Sequence, residues 1–584
     1  MDARPSGAMS IADRLSALRK RSRQHPRARR PTEIDGLGRR VLQAREQAGL
    51  TRKELAQRLD VQLLTVGRLE READDATPYL PAIAAATGRP EDWFAQAPDA
   101  GGSDASQQPP EASAAALTPA RADTLSTVIL AALALLLLIR VFTELIPVLP
   151  RAGNFIDIPI LVVLLLAAAT RGASGTHTRG LLPPLVICFL FLVVFSVSTM
   201  TNLSRVEPAP AMMFLYGFLG PVGLFWAVHR LWVPGSALRL SRVLVALGVL
   251  QLIIAFGVQL PQYLASRNPD VITGTFGENP YQLVFFLLVL IGLFAGIFTF
   301  ENRRPVSKAV PALLLGVLAV IFLAQYRALL ITTVLTIVLL SAVLGTARAR
   351  GALIAILATA GLLMTLAYVV QNVPELKFDS AVEQSRSDPT FFLKTRFATT
   401  SVLGTLYSDE PRFAITGTGP GTYSSRGWQT FALAGAVASK SNNVAGAYVK
   451  ALTNGRPYRT DVSDKYVLPQ LRDAEVVQGS FALTSPFSSY LSLLAEVGVL
   501  GFVLLVALYL WAFAYSLRMT LASVRTAEDG DPLPALLCAS TVAFFVLLQM
   551  AVLENWFEVT RLTFLSWIIF AVVTKEFEAR KLRA

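Results

Sequence analysis

Charged side chains in this sequence gather where long apolar runs begin or end. Arg140 and Glu144 stand four apart in the run 124–146, Glu278 precedes the run that starts near 280, and Glu496 lies inside another. Glu554, Glu558 and Arg561 fall around the break before the last run. A charge in or beside hydrocarbon is costly and tends to mark function. Arg140/Glu144 and Glu558/Arg561 have the spacing of ion pairs on one helix face, so a structural role accounts for them equally well. Arg327 is different. It sits in QYRALLITT, where two apolar runs meet, with no acid partner nearby in the sequence. A planar guanidinium without a carboxylate is suited to a bidentate anionic ligand.

The elements that must position these groups are membrane-spanning. Of 584 residues, 53% are hydrophobic and only 16% charged, well below the roughly 25% charged residues of a soluble globular protein. Lys and Arg number 53 against 41 Asp and Glu, for a net charge of +12. The two cysteines, Cys188 and Cys538, both lie in apolar runs, which argues against a disulfide framework or a cysteine zinc site. About 20 apolar residues cross about 30 Å of hydrocarbon, and by that measure the chain holds about 12 spans. They centre near 124–146, 156–170, 181–199, 211–228, 239–259, 280–299, 309–325, 328–346, 351–370, 486–515, 534–553 and 557–574. The fold class expected is therefore all-α and polytopic, with one long loop over 371–485.

Basic residues orient the spans. One set of loops holds Arg171 and Arg179, Arg230, Arg239 and Arg242, Arg303, Arg304 and Lys308, then Arg348 and Arg350, and the basic tail KEFEARKLRA falls on the same side. The other loops hold isolated Arg151, Arg205 and Arg267. The positive-inside rule makes both termini cytoplasmic and the long loop extracytoplasmic, in a plasma membrane. The N-terminus opens with polar and basic residues and shows no signal-peptide pattern.

Ahead of the spans, residues 1–30 form a basic tail able to contact DNA or lipid phosphates, and 97–122 read as a flexible linker of Pro, Gly, Ser and Ala. Between them, 31–96 form a small helical domain. Leu37, Val41, Leu42 and Ala44 share one helical face, Gly49 breaks it, and Thr51 is placed to cap a second helix. Thr51, Leu55-Ala56, Val61, Val66 and Leu69-Glu70 together resemble the Xre/Cro-type helix-turn-helix. The resemblance implies a recognition helix near 62–71 offering Gln62, Thr65, Arg68 and Arg71 to a DNA major groove. On a membrane tether the same fold serves equally as a protein-docking module.

The membrane part carries a second resemblance. YRALLITTVLTIVLLSAV looks like the Arg-x-x-x-Leu segment of the O-antigen ligase and Wzy-type polysaccharide polymerase superfamily. TGTFGENPYQ (273–282) resembles that family's Thr-Gly-Thr-Phe-Gly outer loop, with Asn279-Pro280 where the pattern has Pro-Asn. TRFATTSVLGTLYSDEPRFAITGTGPGTY (395–423) resembles its Arg-led outer helix and Gly-x-Gly-Pro-Gly turn, and SSYLSLLAEVGVLGFVLL (488–505) its Tyr-Leu span. The ligase histidine before that span is missing. Phe487-Ser488-Ser489 stand there, and His25, His177 and His229 all map to the cytoplasmic side. That departure favours a polymerase over a ligase.

The resemblance implies transfer of a glycan from an undecaprenyl-diphosphate-linked donor to a glycan or lipid-linked acceptor hydroxyl. Arg327 and Arg396, with Arg412 as a third, would stabilise the leaving diphosphate. Glu496, Glu278 and Tyr490 are candidates to position the acceptor or take its proton, with Asn279 beside Glu278; Glu496 also reads as a buried span carboxylate bonded to a neighbouring helix. Gly417, Gly419 and Gly421 would bring backbone N–H groups to phosphate, or simply form a tight turn. The outer loops contain no Asp-x-Asp, so neither a metal nor another cofactor is implied. Trp428, Tyr448 and Tyr458 either stack on sugars or pack the loop itself. A chain-length regulator and membrane lipids are further expected partners. Two other classes stay open: a carrier or flippase, for which about 12 spans is a common size, and a membrane-tethered transcription regulator carried by the head.

Overall fold

A computed structural model describes residues 37–48, 50–61, 63–70, 76–95, 119–145, 156–170, 182–266, 271–277, 280–300, 305–324, 327–344, 401–432, 458–469, 488–526 and 531–583. All regular structure among them is helical. The chain divides into two compact units at residue 113, each described by itself.

The first unit contains α1 (Leu37–Gln47), α2 (Arg52–Arg58), α3 (Leu63–Leu69), α4 (Leu80–Thr87) and α5 (Glu91–Ala95). Leu37, Val41, Ala44, Leu55, Ala56, Val66 and Leu69, the residues of the sequence pattern, are buried together with Ile83 and Phe94. The Thr51 hydroxyl accepts the Glu54 N–H at 3.2 Å, and the Glu54 carboxylate accepts the Thr51 N–H at 2.7 Å. This reciprocal pair satisfies two donors that a helix start leaves open. The buried Glu70 carboxylate accepts Arg45 Nε and Arg52 Nε, each at 2.6 Å, and so ties the end of α3 to α1 and α2. Thr65 is half-buried on α3, and Arg68 belongs to α3 by its backbone. Gln62 and Arg71 lie outside the described residues.

The second unit runs through α6 (Pro119–Leu145), α7 (Asp157–Thr170), α8 (Leu182–Thr201), α9 (Pro208–Leu231), α10 (Ala237–Ile254), α11 (Leu260–Ser266), α12 (Pro280–Phe300), α13 (Pro305–Leu323) and α14 (Arg327–Leu344). Short α15 (Phe413–Thr416) and α16 (Arg426–Ala432) precede α17 (Ser489–Thr526), α18 (Leu533–Met550) and α19 (Thr560–Arg583). Among the described residues, six helical stretches are long and apolar enough to cross a membrane: α8, α9, α10 continued through a π-turn into α11, α12, α17 and α18. Thr124–Ile139, Asp157–Thr170, Ala309–Leu323 and Ile331–Leu344 are apolar but shorter. The expected span near 557–574 corresponds to α19, and the one near 351–370 lies outside the described residues.

Apolar helices gain nothing by leaving lipid for one another, so close packing must hold them. α12 shows how. Nearly every residue of it is buried, and two glycines let α18 approach. A Cβ at Gly292 would stand 2.9 Å from the Cys538 carbonyl oxygen, and one at Gly296 only 2.4 Å from Ala535 Cα. By contrast α8 exposes Leu185, Phe189, Val193 and Met200, an outward face for lipid tails.

The two ends of the bundle differ. At one, Glu576 of α19 accepts Trp232 Nε1 at 3.0 Å and the Gly235 N–H at 2.8 Å, closing α9 onto α19. At the other, residues 401–432 and 458–469 form a cap with its own core of Leu406, Phe413, Trp428, Phe431, Tyr458 and Val462. Leu491 and Ala495 of α17 join that core, so the cap is packed onto the helices beneath it.

Candidate functional site

The site lies beneath the cap and begins with a broken helix. In α17 the backbone at Gly498 turns to φ 70° and ψ −177°, outside helical geometry. A break in an apolar helix frees backbone groups that lipid cannot satisfy, so protein must. The Ala495 carbonyl accepts the Thr418 N–H at 2.8 Å, and the Glu496 carbonyl accepts the Gly419 N–H at 3.1 Å and the Ser198 hydroxyl at 3.0 Å. A Cβ at Gly417 would lie 2.2 Å from the Glu496 carbonyl oxygen, and one at Gly498 2.2 Å from that of Ile415. Only glycines allow the two strands of backbone to pass this closely.

The Glu496 side chain points into the turn that follows. Its Oε2 accepts the Gly421 N–H at 2.5 Å, and its Oε1 accepts those of Tyr423, Ser424 and Ser425 at 3.1, 2.9 and 2.8 Å. The residue is fully buried. Of the two readings each feature carried, this geometry fits the tight turn and the internally bonded carboxylate. The glycine turn does not hold its amides open for a phosphate, because the N–H groups of Gly417, Gly419 and Gly421 bind Phe413 O, Glu496 O and Glu496 Oε2. Nor is Glu496 placed to take a proton from an acceptor, since four backbone donors occupy its carboxylate. It organises the loop.

A second carboxylate grips the far end of the same loop. Glu558, buried in the turn before α19, accepts the Arg426 N–H at 2.7 Å. Gly217 of α9 leaves room for it, since a Cβ there would already touch the Glu558 Cβ at 3.4 Å. Between the two acids, Asn555 donates to the Ser424 carbonyl at 2.9 Å, and Ser492 bridges Ser424 at 2.8 Å and Asn555 at 3.3 Å.

Arg426 therefore has a fixed backbone, and its guanidinium turns to the start of α12. Nη2 donates to the Tyr281 hydroxyl at 3.0 Å, which also accepts Gln282 Nε2 at 3.3 Å. The Tyr281 ring lies 5.5 Å from that of Trp556. The Thr-Gly-Thr-Phe-Gly loop before α12 is drawn into the bundle by two glutamines. Gln251 accepts the Thr275 N–H at 2.8 Å, and Gln259 accepts those of Thr273 and Gly274 at 3.0 and 2.8 Å. Sequence reasoning passed over Arg426. The cue available was an arginine directly after the glycine turn, but nothing in its spacing linked it to Glu558 or Tyr281.

The other expected residues are distributed as follows. Arg327 opens α14, and one turn further the Thr332 hydroxyl lies 3.6 Å from Met550 Sδ at the capped end of α18. Arg396, Glu278 and Asn279 lie outside the described residues, as does Tyr448. Arg412 is bound to Glu410 at 2.7 Å with its side chain 58% exposed, on the cap surface. Tyr490 donates its hydroxyl to the Leu548 carbonyl at 2.8 Å, tying α17 to α18. Trp428 and Tyr458 are buried in the cap core, so they pack the cap and present no face to a sugar.

No protein-family model matches the chain, and no curated protein is similar to it in sequence.

Proposed function

We propose that this chain is a bacterial plasma-membrane glycosyltransferase that polymerises, or ligates, undecaprenyl-diphosphate-linked oligosaccharides on the extracytoplasmic side. About 12 spans would carry it, with both termini cytoplasmic and the cap outside. The observation that carries the reading is the convergence at one end of the bundle. There a folded cap, the start of α14 at Arg327 and the group of half-buried Arg426 with buried Tyr281 and Glu558 all meet the ends of apolar helices. Large polar machinery on one face suits a substrate whose lipid stays in the membrane and whose sugars leave it.

In the proposed reaction, the acceptor hydroxyl oxygen bonds to the anomeric carbon as the bond from that carbon to phosphate oxygen breaks. The diphosphate departs with the electron pair, and the hydroxyl proton passes to a base. Arg327 and Arg396 would hold the diphosphate, and removing either arginine would cost about 3 kcal/mol, or roughly a hundredfold in rate. With Glu496 and Tyr490 engaged internally, Glu278 is the remaining candidate from the sequence for the proton. The head, with its capping box and Glu70 clamp, supports a helix-turn-helix that contacts DNA or a protein partner such as a chain-length regulator.

The test is a deletion strain. Loss of a surface polysaccharide with accumulation of its lipid-linked repeat unit is expected. An unchanged polysaccharide and an unchanged pool of lipid intermediates would contradict the proposal.

A further inference from the structure

We propose that the cap carries a groove for a neutral stretch of oligosaccharide, between the turn that joins α8 to α9 and the segment 458–461. Ser204, Arg205, Glu207, Arg459, Thr460 and Asp461 line it. The inference rests on the proposed function only for the source of the sugar.

The groove encloses about 390 Å³, within the range of small-molecule sites. Its walls are fixed from within. Arg205 Nε donates to both oxygens of Asp461, at 3.0 and 2.9 Å, and the guanidinium lies 5.2 Å from the centre of the Phe413 ring. The Tyr458 hydroxyl donates to the Arg205 carbonyl at 2.8 Å. On the facing side the Thr460 hydroxyl donates to the Thr422 carbonyl at 2.9 Å, which ties this segment to the loop that Glu496 organises. Two charged ends are left over. Glu207 occupies the N-cap position of α9, yet its carboxylate makes no capping bond and is exposed in the groove. Arg459 is also exposed and approaches Asp464 only to 3.8 Å.

Charge selects the class of ligand. The lining holds two carboxylates, Glu207 and Asp461, and two guanidiniums, Arg205 and Arg459, so its charges balance. An anion would meet both acids, and a cation both arginines, close enough for repulsion to be felt. An apolar ligand would strip water from these groups and give them no partner. A neutral molecule with many hydroxyls satisfies them, since a hydroxyl donates to a carboxylate and accepts from a guanidinium. The planar ends of Glu207 and Arg459 can each meet two neighbouring hydroxyls, which is the pattern a sugar ring presents. Under the proposed function the groove holds polymerised chain on the cap.

The test applies the full chain, purified in detergent, to an array of short neutral and acidic oligosaccharides. Wild type should bind a neutral compound, with an affinity that scarcely changes with added salt. Glu207→Ala and Arg459→Ala should each weaken that binding about tenfold. Both side chains are exposed, so both variants should keep the wild-type unfolding midpoint. Preference for acidic compounds, with binding that falls steeply with salt, would overturn the neutral ligand. No binding by wild type, or unchanged binding by both folded variants, overturns the site. Neutral-sugar binding that needs both residues, in a protein whose deletion leaves surface polysaccharide intact, upholds the site and overturns only the glycosyltransferase reading. Loss of polysaccharide on deletion, with no sugar bound by the purified protein, does the reverse.

Discussion

The Glu496 carboxylate lies inside the turn that begins at Gly421 and accepts that residue's N–H at 2.5 Å, across 75 positions of sequence. A helix that breaks at Gly498 supplies the acid, and a glycine-rich loop of the cap supplies the donors. The cap and the membrane helices are thus joined by buried charge-assisted hydrogen bonds as well as by apolar contact.

Replacing Glu496 by Gln tests that joint. The amide group would turn an NH2 toward backbone donors that now meet an oxygen, leaving buried N–H groups unpaired. Each such group costs about 1–3 kcal/mol, so Glu496→Gln should destabilise the fold by about 3 kcal/mol. Thermal unfolding in detergent should show a clearly lowered midpoint, and limited proteolysis should cut the 417–432 loop first.

Two glycines give an internal comparison. Gly498→Ala puts a Cβ on a left-handed backbone and against the Ile415 carbonyl, which should cost about 2 kcal/mol or more. Gly404 lies in the helix over 401–409, and a Cβ added there would meet nothing within 4 Å. Gly404→Ala should instead stabilise by about 0.5–1 kcal/mol. Unfolding midpoints that move in opposite directions would bear this out.

The cap should loosen in acid. The Asp409 carboxylate accepts Lys465 Nζ at 2.7 Å and the Tyr466 hydroxyl at 2.5 Å, and these bonds hold it below the usual carboxylate range. A carboxyl lowered in the folded state adds stability above its unfolded value of about 3.9, and that contribution is lost as pH falls through the folded value. Protection of the amides in 401–409 and 458–469, measured against the intrinsic exchange rate at each pH, should therefore fall below about pH 4, and Asp409→Asn should abolish that part of the pH dependence.

Under the proposed glycosyltransferase reading, removing residues 1–110 should leave polysaccharide synthesis intact. The head has its own buried core and its own ion-pair clamp at Glu70, and the second unit has a separate core of its own. Gel analysis of surface polymer from the truncated strain checks this. Loss of polymer with normal protein level would assign the head an obligatory part.

How far these features were legible in the sequence depends on the range of the interaction. The Thr51 cap and the apolar faces of Leu55 and Val66 follow local spacing, and the structure has them where the pattern put them. Helices long enough to cross a membrane follow from run length alone. The break at Gly498 did not, because AEVGVLG reads as continuous apolar helix and the glycine's φ is set by the cap backbone lying against it. Glu496 was legible as a residue out of place in hydrocarbon, but not its partners, which come from a loop more than seventy positions away. Arg426 was missed for the same reason. Its meaning lies in what Glu558 and Tyr281 do to it, and no local pattern brings those three together.

The most direct test of the central claim is Arg327→Ala in the chromosomal copy, with protein level in the membrane confirmed. Polymer should fall by about a hundredfold while lipid-diphosphate-linked repeat units accumulate. Polymer of normal amount and length from a well-expressed Arg327→Ala protein would contradict the claim.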